Sequence, residues 1–201
     1  MEMLDNTIEY YSKNANRFFQ KYEKLQFEEI NTFWTYLMPP DKVKVLDIGA
    51  GSGRDALWMA QKGHDVIAVE PADGLRALAK KKHSRQPIRW VKDNLPELQK
   101  INRLELKFEL ILLNAVWMHV PPRFKEEAFN NLVGLLSEGG NLVITLRYGP
   151  SPDERMMYPI CKKEFTLFTK AKRVSLVKDI KSDDLFGRPD VSWETIIFQK
   201  N

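Results

Sequence analysis

The sequence predicts an α/β fold: a doubly wound, mostly parallel sheet with helices on both faces. Three observations carry that expectation. Short apolar runs alternate with helix-like segments five times. A glycine-rich turn, GAGSG at 49–53, directly follows the first apolar run after the N-terminal segment, at the place where an open sheet of this class meets its ligands. The last two runs, 174–180 and 192–198, leave no room for the crossover helix that a parallel pair needs, so the final strand is predicted antiparallel.

The elements follow in chain order. Residues 4–37 read as amphipathic helix, with Tyr10, Tyr11, Phe18, Phe19, Tyr22 and Phe27 recurring on a helical period until Pro39 and Pro40 stop it. Strands are predicted at 43–48, 65–69, 88–91, 108–113 and 142–146; the fourth is apolar throughout, as suits a strand covered on both faces. Helices are predicted at 54–62, closed by Gly63, at 73–83, with Asp73 as N-cap, at 122–136, ended by Gly139 and Gly140, and at 162–170.

The 201 residues fit one domain, and 43% hydrophobic with 29% charged residues is an ordinary globular balance. A net charge of +4 is too small to argue for a nucleic-acid partner, and none is expected. Cys161 is the single cysteine, which points to a reducing, cytoplasmic setting. Glu2 and Asp5 precede any apolar run, unlike a signal peptide, and no run reaches the ~18 apolar residues of a membrane span. No membrane partner is expected, and the chain reads as a monomer or weak dimer.

The glycine turn fits two ligand classes. Gly51, Gly53 and Ala56 match the G-x-G-x-x-G/A pattern of dinucleotide sites, while Asp47, Gly49, Gly51 and Gly53 match the acid and alternating glycines of S-adenosylmethionine sites. In either, Gly49, Ala50 and Gly51 let a ligand lie on the main chain. Glu70, at the end of the second strand, can accept from both hydroxyls of a ribose. Pro71 and Ala72 suit the underside of an adenine, and Asp93 with Asn94 offers an acid and an amide to its edge, or simply forms a turn. Tyr158 and Lys162 mimic the Tyr-x-x-x-Lys pair of short-chain dehydrogenases, but Pro159 spoils the helix that pair requires.

Five segments in succession decide the balance: VLDIGAGSGRDA (45–56), VIAVEPAD (66–73), WVKDNLPEL (90–98), FELILLNAVWMHVPP (108–122) and LLSEGGNLVITLRYGP (135–150). In order and spacing they resemble the motifs of class I S-adenosylmethionine-dependent methyltransferases. The resemblance covers about residues 43–150. It implies a seven-stranded sheet of order 3-2-1-4-5-7-6 and S-adenosylmethionine as cofactor. Asp47, Gly49, Gly51 and Gly53 would then cradle the methionine moiety, Glu70 would take the ribose, Asp93 the adenine, and Asn114 and Ala115 would lie at the sulfonium side. It also implies that residues 1–40 form a helical lid on a methyltransferase domain spanning 41–201, the whole being a single domain.

Methyl transfer from a sulfonium is an in-line displacement, so holding and drying the reactants matters most, and a base is required only for a protonated acceptor. His119, past the fourth strand, is the candidate base, tuned near neutral pH. Trp117 and Met118 beside it are candidate pocket walls. Past the fifth strand, Arg147 could clamp a carboxylate or phosphate, with Tyr148 next to it. The turn KSDDLFGRPD at 181–190 is predicted to hang over the pocket, offering Asp184 and Arg188, and the lid offers Tyr10, Tyr11 and Arg17.

The fourth-strand motif lacks the Asn/Asp-Pro-Pro-Tyr signature of amide-nitrogen methyltransferases, and no Cys/His or acid cluster suggests a metal. The leading expectation is methyl transfer to an oxygen or nitrogen of a small molecule. A peptide substrate, in a groove lined by LRYGPSPDERMMYP (146–159), and a silent binding module on the same fold are the alternatives.

Overall fold

A computed structural model of the chain describes residues 2–170 and 172–201. One seven-stranded sheet runs in the order β3-β2-β1-β4-β5-β7-β6. Its strands are β1 Lys44–Ile48, β2 Asp65–Val69, β3 Ile88–Val91, β4 Phe108–Asn114, β5 Leu136–Tyr148, β6 Val174–Asp183 and β7 Ser192–Lys200. The pairs β1–β2, β2–β3, β1–β4 and β4–β5 are parallel, whereas β7 runs antiparallel to both β5 and β6. The predicted topology therefore holds, and β6 points its carboxyl end toward the same rim as β1 and β4.

The helices are α1 Glu2–Lys13, α2 Ala15–Tyr22, α3 Phe27–Asn31, α4 Arg54–Gln61, α5 Asp73–Lys82, α6 Gln99–Asn102, α7 Lys125–Leu135 and α8 Lys163–Thr169. Alternation along β1 divides the core. Leu46 and Ile48 pack on one face with Trp117, Phe129, Leu132 and Phe165, and Val45 packs on the other with Phe27, Trp34 and Met59. A third cluster, Ala15, Phe18, Ala72 and Leu75, fastens α1 and α2 onto α5.

Several boundaries differ from the sequence reading. The N-terminal segment is three short α-helices and a 3₁₀ turn, not one helix. Ala72, not Asp73, is the N-cap of α5; Asp73 sits in the first turn, paired with Arg76 and with Lys92 at 2.6 Å. The predicted 122–136 helix opens as a 3₁₀ turn at Pro122–Phe124, and α7 ends at Leu135. Gly139 and Gly140 lie inside β5, because Leu136 already turns extended and pairs with Phe108. A Cβ on Gly140 would come within 2.9 Å of the Phe108 carbonyl oxygen, which explains a glycine there. The short α6 has no counterpart in the sequence reading.

β6 is the outer edge of the sheet. It carries Leu176 and Val177 exposed, and its register with β7 slips between Leu176 and Lys178.

Candidate functional site

A cavity of about 390 Å³ opens at the carboxyl ends of β1, β2, β4 and β5. Its floor is the predicted glycine turn. The amides of Gly49 and Ala50 donate to the Val69 carbonyl at 2.8 and 2.9 Å, pinning the turn to β2. Gly49 has φ +72°, and a Cβ there would stand 2.4 Å from Val116 Cγ2. Gly51 has φ +57° and approaches the Tyr22 ring so closely that a Cβ would lie 3.3 Å from it.

Acids crowd this end. Glu70 accepts from the Gly51 amide and the Ala72 amide, both at 2.8 Å. Burial raises its pKa to about 7 against the pull of those two amides and of Arg76. Asp47 is 2% exposed. Burial, then the charges of Asp55 and Glu70, push it well above the usual carboxylate range. Its Oδ2 is buried and accepts no hydrogen bond from the described residues. Asp55, from the first turn of α4, joins the floor to β4 and α3. It accepts from Arg54 Nε at 2.7 Å, Asn114 Nδ2 at 2.9 Å and Asn31 Nδ2 at 3.4 Å.

Asp93 lines the cavity but serves the backbone: it accepts from the amides of Asn94, Lys100 and Ile101 at 3.0, 2.7 and 3.0 Å. This is the turn-forming alternative to an adenine contact. Asn94 also lines the cavity and gives its Nδ2 to the Leu95 carbonyl at 2.9 Å. Ala115, just past β4, takes φ +58° and leaves that wall low.

The roof comes from the N-terminus: Thr7, Ile8 and Tyr11 of α1, Lys21 and Tyr22 of α2, Ile30 of α3 and Phe33. Bonds on two sides fasten it. The Gly74 amide donates to Ser12 Oγ at 2.9 Å. On the other side Arg155 Nη1 donates to Tyr11 Oη at 2.7 Å, and the Met156 amide to Thr7 Oγ1 at 3.3 Å. The 146–159 segment thus folds back onto α1, and its Arg147, Pro152, Arg155 and Met157 line the cavity.

His119 stands in the cavity wall, half-buried. The Met156 carbonyl, 2.8 Å from Nδ1, can only accept, which puts the ring proton on Nδ1. Nε2 then accepts from Tyr11 Oη at 3.1 Å. Burial first, and the nearby Arg155 and Arg147, lower the pKa to about 4 despite the Met156 carbonyl. The expected tuning near neutral pH is therefore corrected: this is a neutral imidazole with both nitrogens engaged.

The structure brings Asp47, Gly49, Ala50, Gly51, Glu70, Pro71, Asp93, Asn94, Asn114, Ala115, Tyr11, His119, Arg147 and Arg188 to one cavity. It leaves six predicted residues out, and Ala72 is one of them, buried with Phe18 and Leu75. Gly53 turns toward Trp90 and His83, as the left-handed N-cap of α4. Tyr10 packs on Phe18 at a ring distance of 6.2 Å. Arg17 reaches outward to Asp153 at 3.3 Å. Trp117 is fully buried in the core, its Nε1 donating to Glu164 at 2.9 Å. Tyr148 follows Arg147 in the same strand, so it points to the opposite face, where its hydroxyl donates to Glu194 at 2.6 Å. Residues not anticipated include Asp55, Lys21, Tyr22 and Arg155; for Asp55, its place in the first turn after the glycines was the available signal.

Among the described residues no cluster of three or more His, Cys, Asp or Glu is arranged to hold a metal, and no helix is long and apolar enough to cross a membrane.

The family described as methyltransferase domain matches residues 7–169. An uncharacterized methyltransferase of Staphylococcus carnosus is 29% identical over 101 residues, 50% of this chain and 45% of that protein. The tRNA 5-carboxymethoxyuridine methyltransferase of Escherichia coli is 31% identical over 112 residues, 52% of this chain and 40% of that one. The chain spans about half the length of the curated relatives it matches. Among solved structures, a TehB-like SAM-dependent methyltransferase from Corynebacterium glutamicum superposes with a TM-score of 0.70 at 21% identity, covering 94% of this chain and 99% of that one. The N-methyltransferase NodS from Bradyrhizobium japonicum, in complex with S-adenosyl-L-homocysteine, gives 0.69 at 16% identity, covering 94% and 97%. At these identities the two structures speak for the fold.

Proposed function

Because the chain belongs to the methyltransferase-domain family, within the class I S-adenosylmethionine-dependent fold, we propose that it transfers a methyl group to an oxygen or nitrogen of a small molecule held beneath its N-terminal helices. The observation that carries this reading is the buried, unpartnered Oδ2 of Asp47 at the floor of the cavity, just before a turn where a Cβ on Gly49 would collide with Val116 and one on Gly51 would crowd Tyr22.

The residues fit S-adenosylmethionine. An unpaired buried carboxylate oxygen suits the ammonium of its methionine moiety, and a cation there would draw Asp47 back to its charged form. Glu70 has spent one lone pair of each oxygen on the backbone and keeps capacity for ribose hydroxyls. When bound, the cofactor supplies a methyl carbon already activated by positive sulfur. The chain's part is to orient and to exclude water. Asn114 is held by Asp55 at the end of β4, Ala115 keeps that wall low, and residues 1–40 act as the lid over the domain at 41–201. His119, neutral and hydrogen-bonded, serves as a polar wall.

The fastening of residues 155 and 156 to α1 favours a small substrate over a peptide or a nucleic acid, since it closes the side where a groove would run. The intact acids and glycines favour an active enzyme over a silent binding module. The same reading makes the protein a cytoplasmic monomer or weak dimer, with Cys161 free and exposed. Isothermal titration with S-adenosylmethionine tests it: saturable binding in the micromolar range is expected, and no binding at high micromolar concentration would end it.

A further inference from the structure

Charge is segregated along the cavity. Asp47, Asp55, Glu70 and Asp93 gather at the β1–β3 end, where Arg54 is paired with Asp55, and Lys21, Arg147, Arg155 and Arg188 gather beyond β5 and under α2, beside Asp183 and Asp184. Two of those four cations are neutralised locally. Arg155 pairs with Asp153 at 2.6 Å, and Arg188 grips Asp184 through two nitrogens at 2.6 and 2.9 Å. Asp183, the other acid nearby, is exposed.

Arg147 and Lys21 are different. Arg147 is 6% exposed. Its guanidinium donates to the carbonyls of Gly149 at 3.1 Å and Pro150 at 3.0 Å and touches Met157 Sδ at 3.5 Å. It forms no ion pair among the described residues, and its Nε–H and one Nη2–H are left over. Lys21 is half-buried, with its ammonium 5.1 Å above the Phe186 ring and no carboxylate partner among the described residues. Burial, then the neighbouring arginines, depress both groups, as expected where an anion would be welcome. Apolar side chains adjoin both: Met157 touches Arg147, Phe186 lies under Lys21, and Leu25, Ile30 and Phe33 line the same cavity.

We propose that this end of the cavity binds the carboxylate of a small, largely apolar acid, with Arg147 as its bidentate anchor and Lys21 as the second cation. The assignment rests on the methyltransferase reading and names the substrate class of that site. A buried guanidinium without a carboxylate is costly, and a planar anion matches its spare donors. A single charge on an apolar body matches the walls.

The test titrates the wild-type protein with benzoate, phenylacetate, indole-3-acetate and octanoate, each beside its neutral amide, with and without S-adenosyl-L-homocysteine. At least one acid should saturate at millimolar concentration or below and exceed its amide by about tenfold. Arg147→Met should abolish that preference while affinity for S-adenosyl-L-homocysteine stays within about twofold, and Lys21→Met should weaken it several-fold. Amides binding as well as acids, no acid saturating, or a preference surviving Arg147→Met would overturn the assignment. Should Arg147→Met lose S-adenosyl-L-homocysteine as well, Arg147→Lys decides: a weakened preference supports the anchor and an undiminished one overturns it. Failure of the wild type to bind S-adenosyl-L-homocysteine would sink the methyltransferase reading alone, because the acid-over-amide comparison is also made without that compound.

Discussion

Tyr11 and His119, 108 positions apart in the chain, meet edge-on: Tyr11 Oη lies 3.1 Å from His119 Nε2, with the rings at 89°. The contact joins the roof to the wall past β4. It also occupies the one imidazole nitrogen that has a lone pair to offer.

Tyr11→Phe removes that bond and leaves Arg155 Nη1 without its acceptor. Stability should fall by about 1–3 kcal/mol, read from denaturant unfolding. In the wild type, NMR titration of His119 should place its midpoint near 4. A wild-type midpoint at 6.5, the ordinary histidine value, would refute the engaged, neutral imidazole.

Glu70 should couple cofactor binding to pH. With its pKa near 7, its ionised fraction grows between about pH 6 and 8. A charged carboxylate is the better acceptor for ribose hydroxyls. Affinity for S-adenosyl-L-homocysteine should therefore rise across that range and level off above it. Glu70→Gln should bind more weakly by ~1–3 kcal/mol and show a flatter profile. An unchanged affinity in Glu70→Gln would remove the ribose role.

The same two titrations bear on stability with contrary sign. The folded state holds the Glu70 proton up to about 7 against 4.5 in the open chain, so Glu70 weakens the fold as pH rises through that window. His119 falls to about 4 from 6.5, so the unfolded chain takes its proton first and His119 weakens the fold as pH falls from 6.5 to 4. Relative to wild type, Glu70→Gln should gain stability as pH rises from 4.5 to 7, and His119→Asn as pH falls from 6.5 to 4. Each gain should reach at most about 3 kcal/mol. Urea melts at several pH values measure both, and a pH-independent difference would count against the shift concerned.

Gly49→Ala should be harmful twice over, through its φ of +72° and through the collision with Val116 Cγ2. A loss of about 1–3 kcal/mol is expected, with weakened cofactor binding. Gly49→Ala combined with Val116→Ala removes the collision but not the backbone strain, so it should recover only part of the loss. Full recovery would show that sterics alone set the requirement.

The sheet was readable in advance because each strand of its centre is a compact apolar run bounded by breakers, and because the spacing of the last two strands excludes a parallel crossover. The glycine turn and Glu70 were readable for a related reason: backbone freedom and a strand-end position restrict where such residues can face. The misses have physical causes too. A reading that puts both Arg147 and Tyr148 in the pocket fails because neighbours in one strand face opposite sides. Trp117 and Tyr10 are aromatics, and an aromatic near a site is equally at home in the core. Lys21 and Arg155 reach the cavity only because the N-terminal helices and the 146–159 segment fold over it, a long-range arrangement that no local pattern records. His119 stands in the cavity wall, but its lowered pKa comes from burial and from Arg155 and Arg147, which only the folded chain brings beside it.

The outer strand β6 has one further consequence. Its register slip falls at Leu176 and Val177, the most apolar stretch of the rim, and Lys178 and Lys181 follow at once. A kinked border studded with ammonium groups is a poor template for another chain's backbone. Crowded solutions of this protein should therefore stay clear of fibrils growing sideways from that border.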